Sequence, residues 1–527
     1  MENKLSPFNF VPKVWSRIPG YTKIQFCSAF IIGLLVHMYI MTNGFVNHDS
    51  SMIQSYYNWA YGFGGRWFGI VPDMISGSFN LMWINSLFSV IYISISTCLI
   101  GACLEIRRTS LVLLLSGLVV SFPTVACGLS YRFTADGIFL TVLLVCLAIY
   151  LVRRFKYGFI FGIIPLLFSL ATYQAYVGFF AGIMVMMLIR DILNDQKIKT
   201  VLVNGLKYLF TLIIGLVAYV ISIRLPSSES TAAYLDINTF GGFTLQSIPE
   251  NFIFSYKNFF EIFFRNSLYI HQDYMQSGRI YQLLFAIAAI AILVLLIYLI
   301  INKKIYSGKP RLLLLFILIA LFPPACNAIS ILAPDSLYIL MQYSLVLLFA
   351  FILMIVDVVA DTEKMSISFF RSKIIPLCSW FLIIFCFVIT VNYTLYSNVF
   401  YTKMDIVNKQ GYSFSTNLVG RIQNENFYNG DKQIVLFGEV PQSSALGYFE
   451  TMHAIPLGDI PNMYSYPAYL TTYVGLDNPI SHSRSYVPAE LAGSIEGMQL
   501  VQDMPSYPAQ GSIEEVEGII VVKFSNW

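Results

Sequence analysis

The sequence predicts an all-α polytopic membrane protein of about eleven transmembrane helices, followed by a small α/β extracytoplasmic domain. Three observations carry that reading. Only 12% of the 527 residues are charged, while 57% are hydrophobic and 16% aromatic, more apolar surface than a soluble fold of this length can bury. Apolar segments long enough to cross a bilayer, which takes about 20 residues, recur as far as residue 396. Composition then changes: from Phe400 onward 6 basic residues face 13 acidic ones, a net charge of −7.

The spans fall near 24–45, 81–104, 110–129, 136–152, 157–172, 174–190, 202–224, 280–302, 312–333, 337–358 and 374–396. The fifth and sixth are separated by Ser169-Leu170-Ala171-Thr172-Tyr173-Gln174-Ala175, which reads either as a tight external turn or as a break in one long helix. The first span is too long for a signal peptide and lacks a small-residue cleavage site, so it is expected to stay as an anchor. With residues 1–23 in the cytoplasm, 19 of the 32 basic residues fall in short cytoplasmic stretches. Lys and Arg in short loops set orientation, so the N-terminus is expected inside and residues 397–527 outside. The net charge of +3 implies no nucleic-acid partner. All eight cysteines lie in or beside apolar segments without CxxC spacing and read as small hydrophobes.

Three external regions follow: 46–80, 225–279 and the tail from 397. The middle loop holds FIFSYKNFFEIFFRNSLYIH, whose aromatics and isolated charges suggest a second interfacial helix. In the tail, Gln433–Val440 and Gly518–Phe524 read as strands between Pro-, Gly- and Tyr-rich loops. No phosphate loop, nucleophile elbow or HExxH motif is present, which argues against an ATP-driven pump.

The chemistry is expected in NHDSSMIQSYYNWAYGFGGRWFGIVPDMISGSFN, residues 47–80. Met52, Ile53, Tyr56, Tyr57 and Ala60 recur at helical spacing, behind Asp49-Ser50-Ser51 as N-cap chemistry. Gly62, Gly64 and Gly65 then allow a bend. Asp49 reads either as that cap or as a general base at the membrane face, and the two roles are compatible. His48 either supports it or is a solvated neighbour. Arg66-Trp67 is either an interfacial anchor or, through the guanidinium, a clamp on a phosphate headgroup. Arg132 and Asp136 in SYRFTADG form either an i,i+4 ion pair or an extension of the site, a second phosphate-binding cation and a second carboxylate. Arg279 is a further candidate cation. Tyr173 and Gln174 sit at a membrane-level break, where polar groups line cavities, and Asn327 after Pro323-Pro324 marks another. In the tail Tyr464, Tyr466, Tyr469 and Tyr473 either pack or stack on an acceptor sugar.

NHDSS, GRW, RFTADG and ATYQAY, in that order and at those topological places, resemble the Gtr-type O-antigen glucosyltransferases, the serotype-converting and often phage-encoded enzymes of enteric bacteria. The resemblance spans roughly residues 20–360. It implies a GT-C-like architecture in the bacterial inner membrane. It also implies transfer of glucose from undecaprenyl-phosphate-glucose to lipid-linked O-antigen on the periplasmic face, with a sugar-lipid synthase and a flippase as functional partners. The catalytic acid that such enzymes carry in the first external loop maps onto Asp49. Where relatives show two adjacent acids this chain has His48-Asp49, one carboxylate, which puts a divalent metal in doubt; no cofactor is expected. The rival readings are an O-antigen polymerase or ligase, and a sugar-lipid flippase or transporter. No very large loop between spans and no paired broken segments in two repeats favour either rival.

Overall fold

Long runs of Leu, Ile, Val and Phe leave the backbone amides nowhere to bond but within their own segment, so they fold as helices. The computed structural model describes residues 7–45, 47, 49–50, 65–77, 79–224, 246–266, 277–334, 337, 339–362, 369–440, 466–483 and 495–525. Among them ten helices are long and apolar enough to cross a membrane: Gly20–Thr42, Ile84–Cys103, Thr109–Ser130, Arg132–Arg154, Gln174–Leu193, Ile198–Ile223, Ile280–Asn302, Lys309–Cys326, Ile339–Thr362 and Lys373–Gln423. The expected fifth span is the shorter apolar helix Gly158–Leu170, only about 20 Å long at 1.5 Å per residue.

Ion pairs decide how the fifth and sixth segments run. Arg153, at the end of the fourth span, donates two hydrogen bonds of 2.8 Å to the Asp191 carboxylate, at the end of the sixth. The chain therefore leaves that end through 158–170 and returns through 177–193, and the break between them is a turn. The same end collects Glu105 and Arg108 between the second and third spans, Arg190, and Asp357 near the end of the tenth. Arg190 meets Asp357 at 3.0 Å, both nearly fully buried, and Arg311 reaches Asp195 at 2.7 Å. Four of the arginines that mark the basic side are thus tied to carboxylates.

Among the described residues, the opposite end carries 43–45, 47, 49–50, 65–77, 79–80, the turns at 130–134 and 171–176, and the tail. The helix of the last span is longer than a bilayer needs: Phe369–Gln423 is one helix of 55 residues, about 80 Å at 1.5 Å per residue. It is fastened to the first span by His37 to Tyr401 Oη at 2.7 Å and by Tyr39 Oη donating to Asp405 at 2.9 Å. Residue 397 therefore lies inside a helix, and the tail core begins on its far end, where Leu418, Val419 and Ile422 pack against the sheet. That sheet has the order β2-β1-β4-β3, with β1 (Ile434–Phe437) parallel to β2 (Ile480–Ser483) and β4 (Ile519–Lys523), and β3 (Ile513–Val516) antiparallel to β4. The two expected strands are β1 and β4, and they are neighbours.

Candidate active site at the loop end of the bundle

The helix of the first external loop begins at Asp49, and its cap is Asn47. The Asn47 Oδ1 accepts the Ser50 N–H at 2.8 Å, three residues on, the usual reach of an N-cap amide. The cap bond to the Ser50 amide thus comes from a residue two positions ahead of the Asp49-Ser50-Ser51 expected to supply cap chemistry, and Asp49 lies in the first turn, where its charge favours the helix dipole. Four further bonds hold this turn and the chain that leads into it. Ser50 Oγ donates to Ser130 O at 3.2 Å, Asn80 Nδ2 donates to Ser50 O at 2.9 Å, and the Arg132 guanidinium donates to the carbonyls of Asn43 and Phe45. His48 and residues 51–64, including Gly62 and Gly64, lie outside the described residues.

Arg132 is only 6% exposed. Its Nη2 donates to those two carbonyls, and the expected i,i+4 pair with Asp136 does not form. The reason is geometric: residues 132–134 are a 3₁₀ turn and the α-helix starts at Ala135, so the two side chains leave different turns. Tyr473 of the tail lies within electrostatic reach of the guanidinium. Asp136 is 2% exposed and takes one long hydrogen bond, 3.4 Å, from Asn85 Nδ2. Its Oδ2 is buried with no hydrogen-bond partner among the described residues. The neighbouring Ser76 hydroxyl lies within reach of the Asp136 carboxylate and also of the carbonyls of Pro72 and Asp73. Asp73, 5% exposed, lies on the short helix Ile70–Ser76 at the same end.

Gly65 has φ of +68°, the left-handed conformation that turns the chain into Arg66. The Arg66 guanidinium sits over the Tyr173 ring, 4.9 Å from its centroid, and its Nε is buried with no hydrogen-bond partner among the described residues. Trp67 is an anchor of the loop: its Nε1 donates to Ser222 Oγ at 3.0 Å, and Phe68 stacks on Phe168 at 4.2 Å. Phe68 N–H also donates to Ala171 O at 2.9 Å, so the Arg66 loop is clipped to the turn after residue 170. Gln174 Nε2 donates to Tyr219 Oη, and that phenol lies within electrostatic reach of Arg66. The structure thus brings Arg66, Trp67, Tyr173 and Gln174 into one cluster, and holds Asp49, Arg132 and Asp136 at the same end.

The tail tyrosines are placed differently. Tyr466 and Tyr469 are buried in the tail core, Tyr466 accepting from Ser415 Oγ at 3.4 Å, and burial pushes the Tyr469 phenol up to about 12. Rings closed in by Phe524 and Leu470 have no free face for a sugar, so these two are core residues. Tyr464 lies outside the described residues, and so does the Arg279 side chain, although its backbone opens the helix Ser277–Asn302. Sequence reasoning left Asn47, Asn80, Asn85 and Tyr219 out of the site. The three asparagines flank apolar segments at this end and carried a signal; Tyr219, mid-span in the chain, carried none.

A family model described as "Glucosyl transferase GtrII" matches residues 38–354, more than half of the chain, including both clusters. No curated protein and no solved structure matches it.

Proposed function

The chain belongs to the GtrII glucosyl transferase family and is a membrane glycosyltransferase, and from that premise we propose that it moves a glucosyl residue from a polyprenyl-phosphate donor to a hydroxyl of lipid-linked O-antigen at the periplasmic face. The observation that carries this reading is Arg66: a guanidinium stacked on Tyr173, its Nε without a hydrogen-bond partner among the described residues, at the end of a charge-poor bundle that also holds Asp49. Arginine suits a phosphate because its planar fork offers two parallel donors.

In this mechanism the acceptor oxygen attacks the anomeric carbon while the bond from that carbon to the phosphate oxygen breaks. The acceptor proton passes to the Asp49 carboxylate. The electron pair leaves with the polyprenyl phosphate, whose charge Arg66 stabilises. Phosphate is already a weak base, so cationic stabilisation matters more than an acid on the leaving side. One displacement inverts the anomeric centre, as in inverting glycosidases. We read Arg132 as holding the loop rather than the phosphate, because its Nη2 donates to the carbonyls of Asn43 and Phe45. We read Asp136, a buried carboxylate bonded by Asn85 at the same end, as the second carboxylate, which would orient the acceptor. The loop charges support a cytoplasmic N-terminus and a periplasmic tail, and the family reading implies the bacterial inner membrane.

The test is reconstitution in lipid vesicles with undecaprenyl-phosphate-glucose or with a nucleotide sugar, and NMR of the product's anomeric centre. Transfer from the lipid donor with inversion is expected. Transfer from the nucleotide sugar alone, or retention, would refute it. O-antigen from cells with and without the protein identifies the acceptor hydroxyl.

A further inference from the structure

A second polar cluster lies a short way from Arg66, where three further elements meet. The helix Ile248–Glu261 belongs to the second external loop. Its face pattern is inverted relative to a water-facing helix: Asn251 and Ser255 are buried while Ile253 and Phe260 are exposed. Asn258, one turn beyond Ser255, continues the polar stripe. Opposite it the ninth span ends at Cys326, and Asn327 takes non-helical angles, φ −106° and ψ 33°. Gln342, in the 3₁₀ segment Ile339–Val346, is likewise non-helical at φ −102° and ψ 20°.

The three carboxamides converge. Asn327 Nδ2 donates to Asn258 Oδ1 at 2.9 Å and to Ser255 O at 3.2 Å, and Gln342 Nε2 donates to the same Asn258 Oδ1 at 3.1 Å. Both amide donors therefore point at one oxygen. Left over are Asn327 Oδ1, which is buried with no hydrogen-bond partner among the described residues, and the Asn258 Nδ2 donors on a residue that is only partly buried. Polar groups in a membrane bundle are costly to keep unless partnered, and they mark substrate paths. Two helix breaks at one level also need a polar lining.

The cluster adjoins the Arg66 site. Tyr176 Oη, two residues beyond Gln174, donates to Leu340 O at 2.9 Å, and Ser344 Oγ donates to Cys326 O at 2.6 Å. A Cβ on Gly178 would come within 2.5 Å of Ser344 Oγ and 2.8 Å of Cys326 O. The helix that starts after Gln174 thus packs directly on the segments that carry Asn327 and Gln342.

We propose that Asn258, Asn327 and Gln342 form a subsite for the hydroxyl groups of a hexose, next to the phosphate end at Arg66. The groups are uncharged, which disfavours phosphate as their ligand. A carboxamide offers N–H and C=O together, matching a hydroxyl that both donates and accepts. The proposal rests on the glycosyltransferase reading and adds the residues that choose the sugar; the hexose is that of the donor or of the acceptor.

The test uses the full-length protein in vesicles, with series of monodeoxy donors and monodeoxy acceptors. Removing the hydroxyl that meets the subsite leaves its amides unpaired, so the parent should use that analogue roughly ten- to a hundredfold less well. Asn258→Asp keeps an oxygen to accept from Asn327 and Gln342, and replaces the Nδ2 donors by a second, charged oxygen that cannot donate to a sugar. It should shrink that discrimination to about threefold or less, and the series in which this happens names the sugar. Unchanged ratios for every analogue, with transfer intact and the parent's melting temperature kept, would overturn the subsite alone. If Asn258→Asp melts early, Gln342→Met is read in the same way. A parent that uses every monodeoxy sugar within about threefold of the intact one overturns the subsite without any variant. No transfer from a polyprenyl-phosphate donor at all overturns the functional reading and this one with it.

Discussion

Replacing Asp49 by Asn separates its two possible roles, because the structure gives the cap to a different residue. The Ser50 N–H is held by Asn47 Oδ1 at 2.8 Å, so Asp49→Asn leaves the cap, a contribution of about 0.5–2 kcal/mol, in place. What the helix loses is one negative charge in its first turn, about 0.3–1 kcal/mol. The bonds from Asn80 and Arg132 that fix this turn go to backbone carbonyls and persist. A positioned general base is worth roughly 10²–10⁴ in rate, or about 3–5 kcal/mol at about 1.4 kcal/mol per tenfold. The catalytic effect is therefore several times the effect on stability. Initial rates of glucosyl transfer in vesicles and a thermal melt of the same preparation measure both. The expected result is a loss of roughly two to four orders of magnitude with a melting temperature close to the parent's. Near-parent transfer by a normally folded Asp49→Asn protein would refute Asp49 as the base and move the search to Asp136. Asn47→Ala is the control in the other direction: it removes the cap, costs about 1 kcal/mol, and lowers transfer by loosening the turn that carries Asp49.

Arg66→Lys keeps the charge but loses the fork and the stacking on Tyr173, so the KM for the lipid donor should rise about tenfold or more, and an unchanged KM would dismiss it as the clamp. Arg132→Lys, which loses the Nη2 bonds to the carbonyls of Asn43 and Phe45, should lower kcat at nearly constant donor KM; a selective rise in donor KM would make Arg132 a phosphate ligand. Asp357→Asn strips a buried partner from Arg190, and breaking such a pair costs about 3–5 kcal/mol, so the variant should melt well below the parent, and an unshifted melt would show the network to be dispensable. A reporter fused after Trp527 should be active outside the cytoplasm and one near Gly308 inside it; a cytoplasmic terminal fusion would reverse the proposed orientation.

The amino-acid sequence by itself determined the class of the protein and the order of its spans, because a bilayer demands about 20 apolar residues per crossing regardless of what surrounds them. It also determined where polarity had to be explained: Asp49, Arg66, Arg132, Asp136 and Gln174 stand out because so little else at that end is polar. Only the tertiary structure decided what each does. Asn47 and Asp49 are both able to cap, and it is the position of the Ser50 amide that selects Asn47. Arg132 and Asp136 have the spacing of an ion pair, but carbonyls from the first loop, 87 and 89 residues away in the chain, claim the guanidinium. The turn after Leu170 was ambiguous in sequence, since apolar periodicity is blind to direction; the Arg153–Asp191 pair fixed it. Tyr466 and Tyr469 have the composition of a sugar platform, and their burial in the tail core was written in residues 418–422 and 513–524. Nothing local marks Asn258, Asn327 and Gln342 as a group, because their meeting depends on one loop helix turning its polar stripe toward two broken spans. Helix formation is a local consequence of composition, whereas the choice of a hydrogen-bond partner among distant candidates is made by packing.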